Sequence, residues 1–226
     1  MNGSQVRTAR TARRWTQAAL ATRLGVSQGY VCLLERGARP VPATLAATLD
    51  RLLDMAPSTL PACADTTAYN AGAAARALAA LGYARFPGRP SRRGRRNPAE
   101  VVLRCLRAPD VEARVVEALV WLLVAHADLD WTWLARHVKA DDLQNRLGFL
   151  VSLAGQTAER EGDAAAAARL VAARVALDRS RLVGEGAFRA SMSEAERRWL
   201  RQHRSPEAAH WNLLTNLTVA DVPDAA

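Results

Sequence analysis

The chain has 226 residues, half of them hydrophobic, and its 31 Lys and Arg against 22 Asp and Glu give a net charge of +9. This length suits one large or two small globular domains. No apolar run reaches the roughly 18 residues that cross a bilayer, and no apolar segment follows the N-terminal arginines as a secretory signal requires. Three cysteines without paired spacing exclude a disulfide framework and a zinc knuckle. We therefore expect a cytoplasmic protein without a membrane segment.

The positive charge is confined to the front of the chain. Residues 1–60 hold 8 basic and 3 acidic side chains, residues 61–108 hold 9 and 2, and residues 109–226 hold 14 and 17. A basic front half beside a mildly acidic remainder indicates a polyanionic partner for the first 108 residues.

Residues 1–56 predict a domain of five short helices joined by tight turns. Thr16 is the N-cap candidate of a helix that Gly25 ends, and Ser27 is the N-cap candidate of a helix that Gly37 ends. Four of these helices can be placed on the sequence: Val6–Arg14, Gln17–Leu24, Ser27 to about Arg36, and one opened by Pro40 and Pro42 that carries Leu45, Leu49, Leu52 and Leu53 on one face.

Residues 57–98 are predicted to be a linker that contains an Ala-rich helix, from about Asn70 to Leu81, and a basic loop. The loop, Phe86 to Pro98, has Gly, Pro and Arg but little to bury. Its Gly88-Arg89-Pro90 resembles the core of an AT-hook, which implies an arm in the minor groove or on the DNA backbone. The alternatives are a solvated linker and contacts with RNA or an acidic protein. The candidate arm residues are Arg89, Arg92, Arg93, Arg95 and Arg96.

Residues 99–226 predict a second helical domain that serves dimerisation, an effector or a protein partner. Predicted helices begin near Asn97, Asp110, Asp128 or Asp130, Ala140, Asp163, Ser193 and Ser205, and the last carries Trp211, Leu214 and Leu217. The polar residues of 128–148 are interpreted as helix caps beside a core in which Trp131 and Trp133 are partly buried. The alternative is a binding surface built around Gln144, Asn145 and Arg146. No stretch alternates with the period of a strand, so the expected fold class is all-α.

One motif in the basic front half carries a function. The pattern Arg7-x-x-Arg10, then Trp15-Thr16-Gln17-x-x-Leu20-Ala21-x-x-Leu24-Gly25-Val26-Ser27-Gln28-x-Tyr30-Val31-x-x-Leu34-Glu35-x-Gly37, resembles the phage-repressor, or XRE-type, helix-turn-helix family. The resemblance covers residues 7–53, and it implies that the second helix of the motif enters the DNA major groove.

The resemblance assigns roles to individual residues. It implies base contacts by the outward positions of the recognition helix, Gln28, Gly29, Cys32 and Leu33, and phosphate contacts by Gln17, Tyr30, Arg36 and Arg39. Gln17 also braces Gln28, and Arg10 pairs with Glu35 as a structural ion pair. The family often has polar side chains where this chain has Gly29, Cys32 and Leu33. We therefore expect few direct hydrogen bonds to bases and a larger part for DNA shape.

The sequence predicts no catalytic residue, metal site or cofactor. The four histidines are scattered, and phosphate-binding, nucleophile-elbow and dinucleotide motifs are absent. The leading hypothesis is a nucleoid-associated transcriptional repressor that binds double-stranded DNA as a homodimer on a pseudo-palindromic operator. The alternatives are an antitoxin or operon partner protein that binds a second protein, a regulator gated by a small ligand, and a helix-turn-helix module used only for protein contacts.

Overall fold

Helices form almost all of the regular structure. The computed structural model describes residues 1–64, 66–88 and 95–222. The chain divides into two compact units, Met1–Ala62 and Cys63–Ala226. A single pair of two-residue strands is the only sheet within those described residues. The predicted all-α class is therefore confirmed.

The first unit consists of short helices around a small core. Its elements are α1 Gly3–Ala12, α2 Gln17–Leu24, α3 Gln28–Glu35, α4 Ala43–Leu53 and a fifth helical element, the 3-10 turn Pro57–Thr59. The core consists of apolar side chains from all four α-helices and the segment after them: Val6, Leu20, Ala21, Val31, Leu49, Leu53 and Met55.

Local hydrogen bonds explain where the helices of the first unit begin. Thr16 Oγ1 accepts from Ala19 N at 3.0 Å and Ser27 Oγ from Tyr30 N at 3.1 Å, so both predicted N-caps are confirmed. Gly25, with φ 69°, makes the left-handed turn between α2 and α3. Helix α1 begins three residues earlier than predicted, because Asn2 forms a capping box with Gln5.

Gly3 lets α1 approach α3 closely. A Cβ atom at this position would collide with the carbonyl oxygen of Leu34. The absence of a side chain therefore sets the distance between α1 and the end of α3, where Arg10 and Glu35 meet.

The second unit is built around one long buried helix. Its helices are α5 Ala71–Ala80, α6 Pro98–Leu106, α7 Ala113–Ala125, α8 Trp131–Ala140, α9 Gln144–Glu161, α10 Ala164–Asp178, α11 Glu194–His203 and α12 Pro206–His210. Helix α9 is buried along most of its length and packs against α7 and α10. Strands β1 Gly186–Ala187 and β2 Leu213–Leu214 pair in parallel.

A tryptophan anchors the C-terminal segment on α9. The side chain of Trp211 is fully buried, and its Nε1 donates to Ser152 Oγ at 2.9 Å. Ser152 Oγ donates in turn to the carbonyl oxygen of Gly148 at 3.0 Å. The indole lies so close to Gly148 that a Cβ atom there would collide with it. Glycine is thus required at this point of α9 by packing.

The segment expected as a linker, residues 57–98, behaves differently in its two parts. Residues 57–62 belong to the first unit. Beyond them, Tyr69, Leu78 and Phe86 are buried in the core of the second unit, and Tyr69 N donates to Arg104 O at 3.0 Å. The apolar side chains between the Pro- and Arg-rich stretches have enough area to join a core. The composition of the neighbouring stretches did not predict this.

Two predictions near the second unit's strands were wrong. The last helix ends at His210, because Asn212 adopts φ 50° and the next two residues form β2. Asp110 does not cap α7; its Oδ1 accepts from the backbone N and the Oγ of Ser191, at 2.9 and 2.8 Å. Both differences come from contacts with residues far along the chain.

The polar residues at the start of α9 hold neighbouring loops. Asn145 Oδ1 accepts from Leu182 N at 2.8 Å, and its Nδ2 donates to Leu182 O at 2.9 Å. Arg146 Nη1 donates to the carbonyl oxygens of Leu106 and Ala108, at 2.8 and 3.1 Å. Burial lowers the pKa of Arg146. Because the polar atoms of Asn145 and Arg146 bond backbone, the contacts support a structural role for them and not a binding surface.

Candidate nucleic-acid interface

Helix α3 presents one side to solvent and the other to the core of the first unit. Val31 and Leu34 are buried, whereas Gln28, Gly29 and Leu33 are exposed. Cys32 lies on the same outward side and is half-buried. Leu33, at 41% exposure, is one of the few large apolar side chains that the described residues leave in solvent. The four residues predicted to touch bases thus share one side of α3.

A chain of hydrogen bonds connects the core of the first unit to the start of α3. Arg10 donates to the Glu35 carboxylate through Nε at 2.6 Å and Nη2 at 3.0 Å. Gln17 Nε2 donates to Glu35 Oε2 at 2.9 Å, and Gln28 Nε2 donates to Gln17 Oε1 at 2.9 Å. This relay, Arg10 to Glu35 to Gln17 to Gln28, fixes side chains from three helices relative to one another.

The carboxylate at the buried end sets the direction of the relay. An ionised Glu35 only accepts, so Gln17 must turn its amide nitrogen toward it and its amide oxygen toward Gln28. Gln28 then meets that oxygen with one N–H. The relay does not use the Oε1 or the second N–H of Gln28, which are one acceptor and one donor on an exposed residue of α3.

The ion pair of Arg10 and Glu35 stays ionised at neutral pH. Their side chains are 10% and 2% exposed, and Arg10 Nη1 also donates to the carbonyl oxygen of Trp15 at 2.6 Å. Burial favours the neutral form of Glu35. The hydrogen bonds from Arg10 and Gln17 and the charges of Arg10 and Arg7 outweigh it, and they hold its pKa below the ordinary value. The hydrogen bond to Glu35 likewise raises the pKa of Arg10.

The predicted phosphate-contacting residues surround this face. Gln17 lies at the first position of α2 and Tyr30 in the first turn of α3. Gly37, with φ 72°, ends α3 and is flanked by the exposed Arg36 and Arg39. The Arg39 guanidinium lies 5.9 Å from the centre of the Tyr30 ring. Neither arginine forms an ion pair with a residue that the structure describes, so both can bind phosphate.

One contributor to this surface was not predicted from the sequence. Ser27, Tyr30 and Thr44 line a shallow cleft where the N-terminus of α4 faces the start of α3. Pro42, the N-cap residue of α4, makes no side-chain capping bond. The sequence predicted a helix opened by Pro40 and Pro42, but it did not indicate that the N-terminus of this helix faces α3. The hydrogen bond by which Glu35 orients Gln17 was not predicted either.

The candidate arm is only partly within the described residues. Arg89, Arg92 and Arg93 lie outside them. Arg96 Nη1 lies 2.9 Å from Glu100 Oε1 one helical turn later, and its side chain remains half exposed. Arg95 is half-buried. Of the two described arm residues, Arg96 is therefore held at the start of α6.

Metal-binding clusters and membrane-spanning helices are both absent from the described part of the chain. No group of three or more His, Cys, Asp and Glu side chains could hold a metal ion there. None of the helices described is long and apolar enough to cross a membrane.

Comparison with known proteins identifies the first unit. Residues 3–62 match the family model of a helix-turn-helix domain, which is consistent with the XRE-type segment recognised from the motif. No curated protein and no solved structure matches the chain. The first unit is therefore a helix-turn-helix domain, a kind of domain that indicates a DNA-binding regulator.

Proposed function

We propose that the protein is a transcriptional regulator that reads double-stranded DNA with α3 in the major groove. The observation that supports this most directly is the relay from Arg10 to Gln28. It holds one amide in a fixed orientation on an exposed helix, and such preorganisation is what base readout needs. A module used only for protein contacts has no need of that fixed amide.

Gln28 reads adenine in this proposal. Its Oε1 accepts from adenine N6, and its second N–H donates to adenine N7, a pairing worth about 1–3 kcal/mol of discrimination. Leu33 contacts a thymine methyl group. Gly29 and the half-buried Cys32 offer the bases little hydrogen bonding, so the remaining specificity comes from DNA shape.

The flanking residues fix the register of the domain on the DNA backbone. Gln17, Tyr30, Arg36 and Arg39 contact phosphates around the entry of α3 into the groove. Such contacts contribute affinity without sequence information, and they make binding depend steeply on salt. Arg89, Arg92, Arg93, Arg95 and Arg96 add a minor-groove or backbone arm, which the charge excess of residues 61–108 supports.

The regulator acts as a homodimer on a pseudo-palindromic operator. Two copies of α3, about 34 Å apart, meet successive major-groove faces of the duplex. When the homodimer is bound to an operator that overlaps a promoter, it excludes RNA polymerase from that promoter. The protein therefore works as a repressor at the nucleoid.

Removal of the Gln28 amide tests the proposal. The Gln28→Ala variant should lose the footprint that the wild-type chain gives on DNA flanking its own gene, while its helical circular dichroism is unchanged. Thr8→Ala, at an exposed position of α1, is the matched control and should keep the footprint. A footprint of wild-type strength from Gln28→Ala would refute the assignment of α3 as the reading helix.

A cavity in the second unit favours a second function, gating by a small ligand. It has a volume of about 270 Å³ and lies between the main core, at Val111 and Phe188, and a separate small cluster that includes Met192 and Leu200. Trp199, half exposed, stands at its edge. A cavity of this size takes a small, mostly apolar molecule.

An aromatic probe tests the gating function. Binding of 8-anilinonaphthalene-1-sulfonate should quench tryptophan emission in the wild-type chain and should lose that effect in Trp199→Leu. Equal quenching in both proteins would count against the cavity as a site. Co-purification of a protein encoded beside the gene would instead favour the antitoxin or operon-partner alternative.

A further inference from the structure

Helix α10 is apolar on every side, yet only one side packs within the chain. Of its 15 residues, 12 are Ala, Leu or Val, and the others are Arg169, Arg174 and Asp178. A helix on the surface of a finished assembly carries polar residues on its outer side, and one that is apolar all round is buried. The composition of α10 therefore indicates a second, outer partner.

The inner side of α10 accounts for less than half of its apolar residues. The buried members, Ala166, Ala167, Leu170, Ala173 and Leu177, pack against α9 and α7. The exposed apolar members, which we call the outer face, are Ala164, Ala165, Ala168, Val171, Ala172, Val175 and Ala176.

The outer face has the spacing of a helix-packing seam. Ala164, Ala168, Val171 and Val175 follow one another at intervals of four, three and four residues, which keeps them on one stripe of the helix. Val171 and Val175 are 48% and 50% exposed, and both are among the few large apolar side chains left in solvent by the described residues. Ala164 and Ala168, which precede the valines on the stripe, allow another helix to approach closely.

The charges at the two ends of α10 are opposite, and this selects the orientation of the partner. Glu159, Glu161 and Asp163 outnumber Arg160 among the exposed charged residues at or just before its N-terminus. Toward its C-terminus the Asp178 carboxylate lies 2.8 Å from His210 Nε2, and Arg174 and Arg179 are exposed. Neither arginine makes an ion pair with any residue within 1–64, 66–88 or 95–222. An antiparallel copy of the same helix places acidic end beside basic end, whereas a parallel copy places like charges together.

We propose that the outer face of α10 is the homodimer interface, where it packs antiparallel against α10 of a second copy about a two-fold axis. This inference rests on the homodimer of the proposed function and supplies the surface that the homodimer needs. A two-fold interface is self-complementary, so one stripe of small apolar residues with opposite charges at its ends suffices for both partners.

The interface is small, which sets the strength of the dimer. Two packed 15-residue helices bury less than the roughly 1,600 Å² of a standard interface. The dimer should therefore dissociate in the micromolar range without DNA, and an operator with two half-sites should stabilise it.

Analytical ultracentrifugation of the full chain tests the interface. Wild type should sediment as a dimer at about 200 µM and dissociate on dilution. Val171→Glu and Val175→Glu should each raise the dissociation constant by at least about 100-fold, because the two-fold axis introduces each buried charge twice. Val183→Glu makes the same substitution at a 95% exposed residue beyond α10 and should leave it unchanged. A monomeric wild type, or a dimer that withstands Val171→Glu, would overturn the inference.

Disulfide trapping tests the orientation. In a chain with Cys32 and Cys63 replaced by serine, Ala164→Cys and Val175→Cys, at opposite ends of the stripe, are mixed and oxidised with diamide. The remaining Cys105 is buried, and burial raises its pKa to about 12, so it does not react. Antiparallel packing gives the mixed disulfide between the two variants. Disulfides that join only identical variants would overturn the antiparallel arrangement.

The DNA-reading variant separates this inference from the proposed function. Gln28→Ala should dimerise like the wild type and discriminate its operator from other duplexes about 5- to 150-fold less. A wild-type chain that binds single half-sites but never dimerises would refute the interface while leaving base reading intact. A dimeric chain with no affinity for any duplex would refute the DNA-binding function and leave the interface intact.

Discussion

Neutralising Glu35 should destabilise the helix-turn-helix domain far more than neutralising a surface acid. Glu35 accepts hydrogen bonds from Arg10 Nε, Arg10 Nη2 and Gln17 Nε2, at 2.6, 3.0 and 2.9 Å. Glu35→Gln leaves the Arg10 cation, whose side chain is 10% exposed, without its counter-charge. An uncompensated buried charge costs about 3–5 kcal/mol. Because glutamine keeps the shape and one acceptor, we expect the lower end of that range.

Asp54→Asn is the matched control for this substitution. Asp54 lies 3.8 Å from Arg13, and both side chains are well exposed, at 47% and 37%. Such a pair contributes less than about 1 kcal/mol. Asparagine also tolerates the left-handed conformation of residue 54, where φ is 47°.

Hydrogen exchange measures the effect within the intact chain. The two units need not unfold together, so the exchange of amides in α1 and α3 is followed by mass spectrometry. Adding Arg10→Met to Glu35→Gln removes the unpaired cation and should restore part of the protection. Equal protection in Glu35→Gln and Asp54→Asn would refute the assignment of the ion pair as the centre of the domain.

The same experiment has a pH dependence of known sign. The pKa of Glu35 is held below its ordinary value of 4.5. Its carboxylate therefore stabilises the folded domain above that ordinary value, and the contribution is lost as the pH falls through the lowered pKa. Protection of α1 in the wild type should fall with it in acid, and Glu35→Gln, which lacks this titration, should show a flatter profile. Parallel profiles would contradict the reasoning.

Two further predictions concern phosphate contacts and packing. Arg36→Ala and Arg39→Ala should each lower the slope of log K against log salt by about 0.9, measured by DNA titrations at several NaCl concentrations. An unchanged slope would exclude a phosphate contact for that arginine. Gly148→Ala should destabilise the second unit by about 1–3 kcal/mol in urea unfolding, because its Cβ collides with Trp211. Gly155→Ala, on the same helix with its nearest neighbour 3.9 Å away, should be neutral or stabilising by about 0.5–1 kcal/mol. Equal effects of the two alanines would contradict this account of the packing.

Local signals predicted the first unit well. Thr16 and Ser27 cap α2 and α3 through bonds three residues away, and Gly25 turns within one residue. The two partners of each of these interactions lie within a few residues of each other, so a local pattern in the sequence predicts them. The candidate site was predictable for the same reason, because Gln17 and Gln28 each stand at the first position of a short helix.

The second unit was less predictable, because distant contacts decide its ends. Trp211 has helical spacing with Leu214 and Leu217, but its indole packs on α9 and its Nε1 bonds Ser152, 59 positions earlier. Asp110 precedes α7 as an N-cap residue would, yet its carboxylate accepts hydrogen bonds from Ser191, 81 positions later. Neither partner can be read from local periodicity, so the last helix and the cap of α7 were mispredicted.

The central claim is that the fixed amide of Gln28 reads a base, and selection of bound duplexes from a randomised library tests it most directly. The wild-type chain should enrich sites with adenine at one fixed position of each half-site. Gln28→Ala should lose the preference at that position by about 5- to 150-fold, the equivalent of 1–3 kcal/mol, and keep the preferences elsewhere. Identical enriched sequences from wild type and Gln28→Ala would contradict the account.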